Sequence, residues 1–372
     1  MRRLLVVAAA ALVFAGAARA APPDADARAF YVVNASNGEV LAARNANEAV
    51  PIASITKLMT AIVALEHLKP SDVVTVSGRA AQVGESRIPL AAGQRITVED
   101  LLKGALIQSA NNAADALAAA ASGGDTAQFV GWMNEKARTL GLRDTHFTRP
   151  DGLDSPGHLS SARDVAVLAQ VAMHSPVVRS IVQRQSDTIE GGSFVVHTWN
   201  DLLGRFPGLL GVKTGHTADA GWCQVAAARR PGYTIYAVIL GSPSRARRND
   251  DLQALLSWGL SQYETVALVD RRAYASAALG FGRNPVQLVA TKPLVRVVRT
   301  GRPIVERVVA PTALSLPVTR GQKLGRIEAW SGGKLLGSRA LVAGRTVRNP
   351  GLGGRLRWYS TRTMHHLWGF FS

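Results

Sequence analysis

The tetrapeptide Ser54-Ile55-Thr56-Lys57 places a hydroxyl and an amine three residues apart. It leads into an apolar stretch from Leu58 to Leu65 without Gly or Pro, which predicts a largely buried helix with Ser54 in its first turn. Lys57 would lie on the same face of that helix, about one turn above Ser54. A hydroxyl beside an amine of lowered pKa is one way to activate a nucleophile. Chance also produces this spacing in many chains, where it means only a capping serine and a surface lysine.

Two further motifs follow in order along the chain, Ser109-Ala110-Asn111 and Lys213-Thr214-Gly215. The first lies between two predicted helices, and the second lies in a predicted strand. Each motif alone is weak evidence. Together, in this order and on these elements, the three are a strong signal of one composite site.

The remaining reactive side chains indicate no second chemistry. Cys223 lies in an apolar strand and is expected to be a small core residue. His158 and His197 are expected to be structural or exposed, and Asp151 and Asp154 to shape a loop. No Cys/His cluster has metal-ligand spacing and no glycine-rich phosphate loop occurs, so we expect no metal and no cofactor.

Residues 1–20 have the composition of a cleaved secretory signal. Arg2-Arg3 precede an apolar run, and Ala18-Arg19-Ala20 offers small residues for the cut. We therefore expect a protein secreted across the cytoplasmic membrane into the periplasm. With one cysteine no intrachain disulfide can form, so the fold must depend on its hydrophobic cores.

The positive charge is concentrated at the C-terminal end. The chain carries a formal charge of +17, and residues 271–348 hold fifteen Lys or Arg against Glu306 and Glu328. Residues 21–270, in contrast, are close to neutral. This distribution predicts a near-neutral module joined to a basic module that lies against something anionic. Nucleic acid is not an expected partner of a secreted chain.

The order of predicted elements indicates an α+β fold. A strand hairpin (29–42), a helical middle, antiparallel strands from Gly208 and a final helix from about Asp250 to Tyr263 predict a sheet covered by helices over residues 21–268. Short apolar runs between turns then predict a small all-β sandwich over 269–348. Gly351 to Gly354 suggest a flexible joint before an amphipathic helix within 349–372, which suits a membrane surface.

The chain resembles the D-alanyl-D-alanine carboxypeptidases, which are low-molecular-mass penicillin-binding proteins with a serine β-lactamase/transpeptidase-like domain. The basic β-domain and the amphipathic tail are similar to the branch of penicillin-binding proteins five and six, so the resemblance covers nearly the whole mature chain. The stretches that carry it are 51–60 (PIASITKLMT), 109–114 (SANNAA), 150–154 (PDGLD), 213–217 (KTGHT) and 220–222 (AGW).

This resemblance implies a role for each motif residue. Ser54 would attack the carbonyl between two D-alanines of a peptidoglycan pentapeptide, with Lys57 as the base. Ser109 would pass a proton to the leaving amine, and Asn111 would hold Lys57 and the substrate. The expected substrate-binding residues are Lys213, Thr214, Gly215, His216 and Arg248.

The roles of those five residues differ. Lys213 and Thr214 would bind the terminal carboxylate, with Arg248 as a second ligand or only part of a solvated helix start. Gly215 would leave room for a substrate strand, and the backbone N–H groups of Ser54 and His216 would form the oxyanion hole. β-Lactam antibiotics would act as inhibitors, and the C-terminal helix would attach the protein to the anionic inner-membrane surface.

Three other readings compete. A β-lactamase would need a water-activating base, and no Glu-x-x-x-Asn loop lies between Asn111 and Lys213. A D,D-endopeptidase would share the fold but usually lacks the C-terminal β-domain. A non-catalytic wall-binding protein would not need the complete set of three motifs.

Overall fold

The computed structural model describes residues 5–12, 21–189 and 192–368, which belong to two compact units. One unit comprises Ala21–Gln262, and the other comprises Tyr263–Ser372 together with Met1–Ala20. The boundary precedes the predicted one at 268 because a strand starts at Tyr263, directly after the helix that ends the first unit. No change in composition marks that position.

The first unit contains an antiparallel sheet of five strands. In spatial order they are β3 (Glu39–Arg44), β2 (Ala29–Asn34), β10 (Tyr233–Ser242), β9 (Gly221–Arg230) and β8 (Leu209–Thr217). Thus the first hairpin pairs with the last strands, as expected, and β8 forms one edge. Two small two-stranded sheets lie outside this sheet, β4 (Val73–Thr75) with β5 (Arg95–Thr97) and β6 (Ser186–Ile189) with β7 (Phe194–His197).

Helices cover both faces of the five-stranded sheet. Their bounds are α1 Lys57–His67, α2 Gly78–Gln82, α3 Val98–Leu106, α4 Asn111–Ala121, α5 Thr126–Thr139, α6 Ala162–His174, α7 Pro176–Val182 and α8 Arg245–Ser261. Alternate residues of β10 point to opposite faces. Val238 belongs to the core built around Leu58 of α1, whereas Ile235 contacts Gly259 of α8. The predicted α+β architecture is confirmed.

In its described residues the second unit is all-β apart from one helix. Its larger sheet contains, in spatial order, β1 (Leu5–Leu12), β15 (Ile304–Pro311), β17 (Lys323–Ser331), β18 (Lys334–Ala343), β13 (Val286–Ala290), β12 (Ala273–Leu279) and β16 (Ala313–Leu314). A second sheet pairs β11 (Tyr263–Val269) with β14 (Leu294–Arg299). Both sheets contribute to one apolar core, since Leu294 and Val269 cluster with Ile327 and Leu341. This arrangement agrees with the predicted β-sandwich.

Part of the predicted signal segment pairs with this sheet in the full-length chain. Strand β1 runs antiparallel to β15 from Leu5 opposite Pro311 to Leu12 opposite Ile304. Residues 1–4 and 13–20, with the predicted cleavage site, lie outside the described residues. Removal of this segment stays a prediction.

Helix α9 covers Leu352–Trp368. The predicted glycine joint is therefore wrong in part, because Gly353 and Gly354 lie inside the helix. In the described ranges no single helix is long and apolar enough to cross a membrane, and the bent pair α6–α7 would pass that test only if its two helices are taken together.

Candidate active site

Ser54 lies in a short turn that precedes α1. Residues Ala53–Thr56 form a 3-10 turn, and α1 begins at Lys57, so the expected position of Ser54 in the first α-helical turn is wrong by one turn. Ala53 has a φ of 49°, which is costly for a residue with a Cβ atom. The turn raises Ser54 out of the buried helix, leaving its side chain half-buried at the cleft.

The amine of Lys57 is completely buried between three oxygen atoms. Its Nζ lies 2.6 Å from Ser54 Oγ, 2.7 Å from Asn111 Oδ1 and 2.6 Å from the carbonyl oxygen of Asp151. The amide of Asn111 is oriented by a 3.1 Å hydrogen bond from its Nδ2 to the carbonyl of Gly84. Amide and carbonyl oxygens can only accept hydrogen bonds. They take the two N–H groups of a neutral amine and leave its lone pair directed at Ser54.

Burial favours the neutral form of the Lys57 amine. The pKa of Lys57 is lowered from 10.5 to about 7, mainly by burial; the charge of Arg149 acts in the same direction, whereas Asp151 and Glu85 oppose the shift. A group with a pKa near the working pH is suited to general base catalysis. The arrangement predicted from the Ser-x-x-Lys spacing is therefore present, with Asp151 as an unforeseen member.

Lys213 occupies a second buried position across the cleft. Its Nζ donates to Ser109 Oγ at 2.7 Å and to the carbonyl of Thr214 at 3.0 Å. Burial lowers the pKa of Lys213 well below its usual value, and the charges of Lys57 and Arg248 lower it further. Ser109 sits just before α4 with a φ of 63°, which turns its side chain toward Lys213. Ser109 and Asn111 thus act on different lysines.

Strand β8 passes directly against the Ser54 turn. A Cβ atom at Gly215 would lie 2.9 Å from the carbonyl oxygen of Ile52 and 3.0 Å from the amide nitrogen of Ser54. Gly215 is needed for this approach on the protein side, a reason other than the expected room for substrate. The contact brings the strand that carries the His216 amide against the Ser54 amide, as the predicted oxyanion hole requires. The exposed ring of His216 packs on Trp222 with centroids 4.1 Å apart.

Arg248 is buried beneath the same cleft. It belongs to the first turn of α8, which starts at Arg245 rather than near Asp250, and only 1% of its surface is exposed. Its guanidinium donates to Asn249 Oδ1 at 2.7 Å and to Asp201 at 3.3 Å, and burial lowers its pKa to about 10. Arg248 therefore remains charged at neutral pH and is held in one orientation. The solvated helix start considered from sequence is wrong.

These groups line one cleft of about 240 Å³. Ser54, Ser109, Thr214, Gly215, His216 and Arg248 all contribute to its wall, as do Ser86, Trp199, Trp222 and Arg245. The sequence did not identify Ser86 and Trp199 as residues of the cleft wall, because each lies on a loop outside the three motifs. The described residues contain no group of three His, Cys, Asp or Glu side chains that could hold a metal ion.

The loop 149–154 lies at the side of the site and stabilises it through hydrogen bonds. Asp151 is 1% exposed, and its carboxylate bonds the Arg149 guanidinium and the amide of Leu153. Asp154 accepts a 2.6 Å hydrogen bond from Thr217 at the end of β8. Both aspartates shape the loop, as expected, and the Pro-Asp-Gly sequence was the signal for it. That the loop offers its backbone to Lys57 could not be inferred.

Comparison with known proteins agrees with this geometry. The pattern of the D-alanyl-D-alanine carboxypeptidase family matches residues 16–244, and that of the C-terminal domain of penicillin-binding protein 5 matches residues 263–349. D-alanyl-D-alanine carboxypeptidase DacF of Bacillus subtilis is 32% identical over 88% of this chain and 87% of its own length. The corresponding DacC of Escherichia coli is 32% identical over 93% of this chain and 90% of its own.

Solved structures show the same fold. Penicillin-binding protein 6B from Escherichia coli aligns with a TM-score of 0.65 and 30% identity, over 87% of this chain and 98% of that one. Penicillin-binding protein D2 from Listeria monocytogenes, in its ampicillin-bound form, aligns with a TM-score of 0.59 and 30% identity, over 64% of this chain and all of that one.

Proposed function

This chain belongs to the D-alanyl-D-alanine carboxypeptidase family, and from that membership we propose that it removes the terminal D-alanine of peptidoglycan stem pentapeptides through an acyl-enzyme on Ser54. It is a serine-type carboxypeptidase, a hydrolase of the penicillin-binding kind. Removing the last residue takes away the donor bond for cross-linking, so the reaction limits cross-links in the cell wall. β-Lactams would acylate the same serine.

The observation that carries this proposal is the environment of the Lys57 amine. With its two N–H groups bonded to Asn111 and Asp151, the neutral amine has one lone pair, and Ser54 Oγ lies 2.6 Å away. The Ser54 proton passes to Lys57 as Oγ attacks the peptide carbonyl. Ser109, which accepts a hydrogen bond from Lys213, then donates its own O–H proton to the leaving nitrogen and is reprotonated by the proton that Lys57 took from Ser54.

The cationic end of the cleft suits a substrate with a free C-terminus. Arg248 presents a fixed guanidinium beside Thr214, and the Arg245 side chain is held there by Asp201. A guanidinium attracts a carboxylate by charge, and a hydrogen bond between these charged groups is stronger than one between neutral groups. An interior peptide bond lacks that carboxylate, so this end of the cleft favours carboxypeptidase over endopeptidase activity.

Mass spectrometry with a pentapeptide ending in D-Ala-D-Ala tests the reaction directly. We expect loss of one D-alanine and a transient acyl adduct on Ser54. The same pentapeptide with a C-terminal amide is the matched control, since it keeps the scissile bond and removes the carboxylate. Equal hydrolysis of both peptides would contradict carboxylate recognition, and conversion of cross-linked dimers into monomers would instead support an endopeptidase.

We also propose that the enzyme works in the periplasm, attached to the inner-membrane surface through α9. Support comes from three apolar side chains of α9, Leu352, Leu356 and Tyr359, which are 81%, 70% and 57% exposed. Solvent exposure of such a stripe is unfavourable unless another surface covers it.

The surroundings of α9 fit a lipid surface with anionic headgroups. Trp358 and Tyr359 pack edge-on against Phe281, at centroid distances of 5.3 and 6.2 Å, which places an aromatic cluster at the base of the helix. Arg345 donates to the carbonyl of Asn284, three residues after Phe281, and so adds positive charge beside the aromatic cluster. Aromatic rings and arginines together are typical of interfacial segments.

A further inference from the structure

A buried histidine lies behind the nucleophile without touching the cleft. His158 is 3% exposed, and its Nδ1 is 3.1 Å from the backbone nitrogen of Thr148. Because a backbone N–H can only donate, Nδ1 must accept and the ring proton must be on Nε2. Burial lowers the pKa of His158 to about 4, so the ring stays neutral at working pH. The tautomer of His158 is thereby fixed.

The proton on Nε2 is directed at the nucleophile turn. Nε2 lies 2.7 Å from Thr56 Oγ1, and Thr56 Oγ1 lies 2.8 Å from the carbonyl oxygen of Ala53. Since that carbonyl can only accept, the threonine hydroxyl donates to it and accepts from His158. Hydrogen bonds therefore run in one direction, from the Thr148 amide through His158 and Thr56 to Ala53. Each polar atom in this chain has a partner.

Ala53 is the residue that most needs such support. Its φ of 49° is unfavourable for alanine, and it immediately precedes Ser54. A strained backbone persists only where its surroundings hold it, and the Thr56 hydroxyl holds the carbonyl of this peptide. Thr56 itself lies between Ser54 and Lys57 and is completely buried. The chain of hydrogen bonds therefore acts on the backbone that sets the distance between nucleophile and base.

We propose that His158 is a positioning residue for acylation, which keeps Ser54 and Lys57 in reactive register by donating to Thr56. Its effect depends on the directed Nε2–H bond and not on the volume of the ring. A packing role is the alternative, since the ring also contacts Phe147 edge-on at 5.7 Å. The positioning role depends on the Nε2–H donor, whereas a packing role depends on the ring as a whole.

Two amide substitutions separate the two nitrogens. In His158→Gln the side-chain amide nitrogen reaches the position of Nε2 and can donate to Thr56. In His158→Asn the shorter side chain places its oxygen near Nδ1, which keeps the acceptor for Thr148 but loses the donor. Both variants remove the aromatic contact with Phe147, so a packing role predicts similar behaviour.

The measurement is the acylation rate constant of the full-length mature enzyme with a fluorescent penicillin, normalised to the labelled fraction. We expect His158→Gln to acylate within about threefold of wild type and His158→Asn to be slower by about tenfold or more, with the KM for peptide nearly unchanged in both, because misplacing reacting groups lowers rate rather than binding. Equal rates in the two variants, or a loss confined to melting temperature and labelled fraction, would overturn the proposal.

A second pair of variants decides the matter if a His158 variant fails to fold. Thr56→Val has the same shape without the hydroxyl, and Thr56→Ser keeps the hydroxyl. We expect the valine variant to lose about tenfold or more in acylation rate and the serine variant to retain most of it. Equal acylation by the two would refute the role of the directed hydrogen bonds.

Discussion

Lys57 and Lys213 are both buried amines with lowered pKa values, yet their neighbours fit them for different tasks. Lys57 faces the nucleophile and two oxygens that can only accept. Lys213 instead donates to the hydroxyl of Ser109 and to a backbone carbonyl. A general base must accept and then release a proton, whereas a residue that stabilises negative charge needs only to stay close to it. We propose the first task for Lys57 and the second for Lys213.

Substitution by arginine separates these tasks. Lys57→Arg should lower the acylation rate by about 10²- to 10⁴-fold, because a guanidinium does not lose its proton near neutral pH. Lys213→Arg retains the charge and should keep partial activity. Both rates can be measured by stopped-flow acylation with a fluorescent penicillin. Similar losses in both variants would show that the assignment of roles is wrong.

Removal of the Ser54 hydroxyl should abolish chemistry without affecting the fold. Ser54→Ala deletes one oxygen from a half-buried side chain, so the melting temperature should change little. Neither penicillin labelling nor D-alanine release should remain, since in the described part of the chain Ser54 supplies the hydroxyl that is hydrogen-bonded to the Lys57 amine. Intact-protein mass spectrometry after exposure to penicillin provides the measurement. A covalent adduct on the alanine variant would point to another nucleophile.

The pKa of Lys57 predicts the pH dependence of acylation. Only the neutral amine accepts the Ser54 proton, so kcat/KM should rise about tenfold per pH unit in acid and level off above about 7. An amine with its ordinary pKa of 10.5 would keep the rate rising far into the alkaline range. The profile should be measured on a D-Ala-D-Ala peptide, with penicillin titration at each pH to correct for unfolded enzyme.

At the scale of elements, the loop 149–154 and the Ser54 turn fit together through a glycine. Gly152 has a φ of +83°, and a Cβ atom there would lie 2.1 Å from the carbonyl oxygen of Ala53. Gly157 has a similar φ of +77°, but its nearest neighbour would be His146 Nδ1 at 3.9 Å. The two glycines therefore share a backbone conformation and differ in the space around them.

We expect Gly157→Ala to cost about 1–2 kcal/mol of unfolding free energy, the strain of a left-handed alanine. Gly152→Ala should cost more than about 4 kcal/mol and slow acylation, because the backbone of the nucleophile turn must move. Urea unfolding and acylation rates of the two variants give the comparison. Equal costs would mean that the loop yields to the new methyl group.

The elements that carry the three motifs were predictable, whereas the contacts between them were not. Apolar periodicity and turn residues are local, so they placed Ser54 at a helix start, one turn too far into the helix, Ser109 at a corner and Lys213 on a strand. The Asp151 carbonyl at Lys57 and the His158–Thr56 bond join residues 94 and 102 positions apart. No local pattern records such bonds. The 3-10 turn at Ala53 likewise results from tertiary contacts that outweigh helical propensity.

For the whole molecule, the uneven charge and composition were sufficient to predict two units and a terminal helix. They did not reveal that the second unit starts at Tyr263, because β11 continues directly from α8. They also did not reveal that Leu5–Leu12 pairs with β15, since a signal sequence and an edge strand share apolar composition. Composition predicted the organisation of the chain only where the content of charged and apolar residues changes along the sequence.

Membrane attachment should be separable from catalysis. Mature protein ending at Asn349 lacks α9 and should remain in the supernatant with anionic vesicles while hydrolysing small peptides normally. Full-length mature protein should pellet, and less so at high salt, because salt screens the arginines over about 10 Å. Equal pelleting of both forms at moderate salt would transfer the attachment to the β-domain.

A matched pair of charges tests the apolar stripe itself. Leu356→Glu places a carboxylate on the exposed stripe, whereas Thr361→Glu adds the same charge at an exposed polar position of the helix. Burying apolar surface contributes about 25 cal/mol per Å², so we expect the leucine variant to lose several-fold more vesicle binding. Equal losses in sedimentation would show that only net charge matters.

The acylating pair and the groups proposed to bind the substrate carboxylate come from different parts of the fold. Ser54 and Lys57 belong to one turn and the start of α1, whereas Thr214 and Arg248 belong to β8 and α8. Natural selection can therefore alter ligand choice at β8 and α8 without weakening the base. Because a penicillin and a stem peptide both offer a carboxylate, we expect substitutions there that exclude the drug to reduce wall processing as well. Resistance gained at that end of the cleft would carry a growth penalty.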